Sequence, residues 1–184
     1  MKIEYVWSVT TFVIIFLMLF GNRKVRIFSV FIMQFQVFKN AKTDKLSPWD
    51  FACFVFMPIG LAAVITFGFK SIIDDKLAGV LTTVFSLVFT VLFGFAAILI
   101  GKIDSKNDIE RQVVGETFIS IVSTTLLSLF SAVLSIIITK IGSVVVLSIL
   151  SFIVYAVSFI TIMLLLLITK RTFIVYCNST DKKD

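Results

Sequence analysis

Leu77–Gly101 reads LAGVLTTVFSLVFTVLFGFAAILIG, twenty-five residues without a charge. As a helix rising about 1.5 Å per residue it covers about 37 Å, more than the ~30 Å hydrocarbon core of a bilayer. Gly79, Thr83, Ser86, Thr90, Gly94, Ala97 and Gly101 recur in it at intervals of four, three, four, four, three and four. Such spacing puts small residues in one row down one helical face. In lipid, rows of this kind let helix backbones approach closely and let hydroxyls bond across the contact.

Four further apolar runs flank this one: Tyr5–Phe20, Phe51–Phe69, Thr117–Thr139 and Ser143–Thr169. The fourth run of the chain repeats the small-residue theme with Ser120, Thr124, Ser128, Ser131, Ser135 and Thr139, and the fifth adds Ser148, Ser151, Tyr155 and Ser158. Spacing near 3.5 keeps such rows facing a left-handed neighbour. The two readings of the rows are helix packing and the lining of a pore formed by several copies. The expected fold is all-α, a polytopic membrane bundle of five spanning helices, with a four-helix core over 50–169 after an N-terminal span at 1–21. A basic interfacial segment (22–49) and a polar tail (170–184) complete the organisation. Tyr5–Phe20 is read as a retained span rather than a cleaved signal, since no small-x-small site precedes Arg23, Lys24 and Arg26.

The whole chain agrees with this. Of its 184 residues 59% are hydrophobic and 15% charged, 21 are Phe, and mean hydropathy is +1.08. Those values exclude a soluble globular domain and a disordered chain. The net charge of +6 reflects basic loops rather than a nucleic-acid surface. With alternating loops, thirteen Lys and Arg fall on one side and four on the other. The positive-inside rule then predicts the N-terminus outside and the C-terminus in the cytoplasm. Trp7 and Trp49 fall near predicted interfaces. Ile27–Phe38 is too short to span and is bracketed by basic residues, which suits a segment lying in the cytoplasmic interface, with a re-entrant or buried segment as the alternative. The short connections Lys70–Lys76 and Lys140–Gly142 predict antiparallel neighbours, both for spans two and three and for spans four and five. Pro58 and Gly60 predict a kink in span two.

Chemistry-bearing patterns are few. There is no His, which removes the commonest metal ligand and general base. Two cysteines, Cys53 and Cys177, make no disulfide framework. No nucleotide-binding glycine loop, CxxC or HExxH element occurs. The expectation is no enzyme, no metal and no cofactor. The polar connection 102–116 carries Asp104, Lys106, Asp108, Glu110 and Arg111, with opposite charges spaced for helical pairing. It is either a solvated hairpin tip or a docking surface for a cytoplasmic protein.

The layout, a core from Ser47-Pro-Trp-Asp50 to Thr169 with polar connections such as Asp104–Glu116, resembles the small multi-span membrane components of bacterial anti-phage systems, including the membrane subunit of the Kiwa system. The resemblance lies in organisation and carries no residue roles. It implies an oligomeric membrane scaffold or sensor that recruits a cytoplasmic effector. From the residues alone, a pore-forming effector lined by hydroxyls and a small transporter remain the alternatives. The expected partners are the bilayer, further copies of the chain and a cytoplasmic protein, without nucleic acid.

Overall fold

A computed structural model describes residues 10, 13, 27–37, 47–100 and 108–180. Among them every regular element is a helix: α1 (Ile27–Val37), α2 (Pro48–Gly68), α3 (Asp75–Ile100), α4 (Asp108–Ile138) and α5 (Val144–Thr180). Helices α2 to α5 are long and apolar enough to cross a membrane, over Pro48–Gly68, Asp75–Leu99, Arg111–Ile138 and Val144–Phe173. The expected N-terminal span, apart from Thr10 and Val13, lies outside the described residues, as do Gly101, Asp104 and Lys106.

Helix α2 starts at a cap. The Ser47 hydroxyl accepts from the Asp50 N–H at 3.4 Å, and Pro48 occupies the first turn, where its missing N–H costs nothing. Pro58 is harder to place, because its ring collides with the carbonyl four residues back. The helix meets it with a widened π turn over Ala52–Phe56, in which the Met57 N–H reaches back to the Ala52 carbonyl. A second widened turn covers Val64–Gly68 and ends with the Phe69 N–H on the Val64 carbonyl at 3.0 Å. Two wide turns thus bracket Met57–Ala63, the segment that holds Pro58 and Gly60. Pro58, Ala62 and Thr66, each four residues from the last, are the buried positions of this helix.

The connection from α2 to α3 corrects one expectation. Among the described residues spans two and three do not pack on each other: α2 packs on α5, and α3 packs chiefly on α4. The reason lies in the linker. Its Ile73 N–H donates to Ser151 Oγ at 3.1 Å, and Ser71 Oγ lies 3.4 Å from the Tyr155 hydroxyl, so the linker is fastened to α5. It thus carries the chain away from α2 before α3 begins. Asp74 then caps α3, its Oδ1 accepting from the Leu77 N–H at 2.8 Å. The spatial order is α3, α4, α5, α2, an open row with α1 laid against α4. The α4–α5 pair does match its short connection.

Lys70, in this linker, holds φ at +52° and is exposed. A left-handed conformation strains any residue with a Cβ by about 1–2 kcal/mol. Lys70→Gly is expected to raise bundle stability by about 1 kcal/mol after the greater flexibility of glycine in the unfolded chain is allowed for. Reversible unfolding in mixed micelles with increasing SDS would register it as a higher midpoint.

Helix α4 is the hub, touching α3, α5 and α1. Helix α3 turns one heptad row toward it: Ala78 and the large residues Phe85, Leu92 and Leu99, seven apart, are its buried positions. The buried apolar residues gather in two layers. One, near the tight loops, joins Ile73, Ala78, Leu134, Ile138, Leu150 and Val154; the other, at the far end, joins Leu92, Leu99, Val114, Ile121 and Ile168. Helix α1 buries Gln34 and Val37 and leaves Ile32, Met33 and Phe35 exposed, so it lies along the bundle rather than apart from it.

Candidate functional site

The two rows of small residues do not share a surface. On α3, Gly79, Thr83, Ser86, Thr90, Gly94 and Ala97 are all exposed. This follows from the heptad of large residues on the same helix: if Phe85, Leu92 and Leu99 turn toward α4, the small row must turn away from it. A methyl group added at Gly79 or Gly94 would meet no atom within 4 Å. The two threonine hydroxyls of the row do not reach outward either. Thr83 donates to the Gly79 carbonyl at 3.0 Å and Thr90 to the Ser86 carbonyl at 2.9 Å, the usual return bond of threonine in an apolar helix. The face is therefore shallow and chemically quiet, flanked by the exposed side chains of Val80, Leu87, Val91 and Ile98.

On α4 the arrangement is reversed. Ser120, Thr124, Ser128, Ser131 and Ser135 are buried, and Thr139, at the helix end, is half-buried and donates to the Ile136 carbonyl at 2.8 Å. Thr117, Ser123 and Thr125 are buried as well. Small hydroxyl residues thus surround the hub helix where its neighbours come close. Thr117, Ser120, Thr124, Thr125 and Ser128 return their hydrogen bonds to carbonyls of α4 at 2.7–3.0 Å. Ser123, Ser131 and Ser135 have buried hydroxyls without a hydrogen-bond partner, and so does Thr161 of α5. On α5, Ser158 returns its bond to the Val154 carbonyl at 2.6 Å.

The polar connection becomes helix earlier than a hairpin tip would suggest, because α4 already starts at Asp108, which with Glu110 lies in its first turn. Arg111 is exposed. At the other end of the chain α5 passes without a break through the expected tail boundary and runs to Thr180. The 31 residues of α4 and 37 of α5 correspond to about 46 and 55 Å of helix, against a hydrocarbon core of about 30 Å. One ion pair ties the two helices: Arg171 Nη2 stands 3.2 Å from Glu116 Oε2, and Gln112 Nε2 donates to Glu116 Oε1 at 3.1 Å. Both helices continue past this pair.

Sequence reasoning passed over this pair, since its members are far apart in the chain. The available signal was one ionisable residue of each sign at the matching ends of two long apolar runs. It also passed over Ser123, Thr125 and Thr161, which fall outside the most regular row. Among the described residues no three or more His, Cys, Asp or Glu side chains gather as metal ligands do. Comparison with known proteins adds no assignment: no family model matches the chain, and neither characterised proteins nor solved structures give a match.

Proposed function

We propose that this chain is an integral membrane scaffold whose copies associate along α3 and which engages a cytoplasmic protein through the ends of α4 and α5. The observation that carries the reading is the exposure of the whole α3 row from Gly79 to Ala97. A face of small residues offers lipid little to pack against. A second helix gains close van der Waals contact there, the main source of helix association in a bilayer. The excess of Lys and Arg in the connections at the Glu116–Arg171 end supports a cytoplasmic location for it and an outside N-terminus, and the resemblance in layout supports a bacterial inner membrane. The helical extensions beyond Glu116 and Arg171, carrying Asp108, Glu110 and Arg111, supply the surface for a soluble partner. Action as a sensor in anti-phage defence is the setting that the layout resembles, and the reading stands without it.

Oxidative cross-linking in native membranes tests the association. With Cys53 and Cys177 replaced by serine, Ser86→Cys on the small row is expected to give a disulfide-linked dimer. Leu166→Cys, exposed on α5, is expected to stay monomeric. Cross-linking of the α5 variant but not of the α3 variant would remove the proposal.

A further inference from the structure

We propose that the middle of the bundle is a binding site for internal water, held by hydroxyls of α4 and α5 between the two apolar layers. The levels come from the packing. Glu116 faces Arg171 at one end of the α4–α5 pair, and Ile138 and Val144 flank the connection at the other. Thr161 stands one heptad from Val154, which shares a cluster with Leu134 and Ile138 of α4, and one heptad from Ile168, which shares the other with Val114 and Ile121. It therefore turns toward α4, at the level of Ser123 to Ser131. Along α3, Phe85 lies midway between Ala78 of one layer and Leu92 of the other, and brings a buried ring without a donor or acceptor to this level.

The layer thus holds polar atoms that the protein leaves unanswered. Ser123 Oγ, Ser131 Oγ and Thr161 Oγ1 are buried without a hydrogen-bond partner, and Thr161 as a whole is 1% exposed. Hydroxyls one turn away show the alternative, because Thr124, Thr125 and Ser128 close on their own carbonyls. On the α1 side of the hub, Gln34 buries both atoms of its amide without a partner, at 5% exposure. A buried hydroxyl or amide left dry is costly, and the usual remedy in proteins is a bound water that joins two to four such groups. Neutral oxygens without a carboxylate suit water, which donates and accepts, better than a divalent cation, which requires charged ligands. The apolar layers on both sides keep such water from joining the solvent.

Water-edited solid-state NMR on the unmodified chain in lipid bilayers reads this directly. Magnetisation from water is expected to reach the Cβ signals of Ser131 and Thr161, later than it reaches Thr139 near the loop, while Ala78 in the apolar layer stays dark. A second measurement uses the nearly isosteric Thr161→Val. If the hydroxyl is bonded to water, the SDS unfolding midpoint falls; if it is dry and unsatisfied, its removal raises the midpoint. Silent Ser131 and Thr161 signals, or a raised midpoint for Thr161→Val, would overturn the proposal.

Discussion

Replacing Ser128 with leucine is expected to destabilise the bundle by about 3 kcal/mol, with a marked fall in the SDS unfolding midpoint. Ser128 is fully buried on the hub helix, where the neighbouring helices approach over small side chains. Leucine adds atoms where none fit, and overpacking of a filled core costs about 1–3 kcal/mol, occasionally more. The hydroxyl itself contributes little, because its bond to the Thr125 carbonyl at 2.8 Å lies within the same helix. Ser128→Ala is therefore expected to change stability by less than about 1 kcal/mol. A large effect of the alanine variant would show that the site depends on the hydroxyl and not on the space.

Gly94→Leu is expected to have the opposite profile. The folded chain tolerates it, since nothing lies within 4 Å of the added Cβ, and leucine favours helix over glycine by somewhat less than about 1 kcal/mol. Association suffers instead. Bulk in the middle of the small row holds a second helix off, and the dimer is expected to weaken at least about tenfold, equivalent to about 1.4 kcal/mol. Energy transfer between labelled copies diluted in lipid measures this, and the SDS midpoint measured alongside reports the fold. Undiminished energy transfer would mean that the copies meet elsewhere or not at all.

The four spans α2 to α5 were legible from run length, because an uncharged stretch of about twenty residues or more has few other uses. The small row on α3 was legible as well, but not its direction. Periodicity identifies a face and leaves open where the face points. In water the apolar face would turn inward; in lipid no such preference exists, and packing decides. The heptad Ala78, Phe85, Leu92, Leu99 stood in the sequence beside the small row and competed with it for the hub. The separation of α2 from α3 was hidden for another reason. A six-residue linker, Phe69–Asp74, reaches about 20 Å when extended, so it fixes how far apart two helix ends can be and not whether their axes meet. Its bonds to Ser151 and Tyr155 join residues about eighty positions apart in the chain. The hydroxyls of Ser123 and Thr161, which have no partner in the protein, could not be told in advance from those that bond to their own helix, because both look the same as letters.

The open order α3, α4, α5, α2 gives the described helices two unlike edges, and symmetry then limits what association can build. Two copies that meet through α3 about a twofold axis use the same edge twice and leave an α2 at each outer border. Nothing remains for a third copy to repeat, so the assembly is finite at two. Only a junction of unlike edges, α3 of one copy on α2 of the next, would propagate, closing into a ring or running on as a filament according to its rotation.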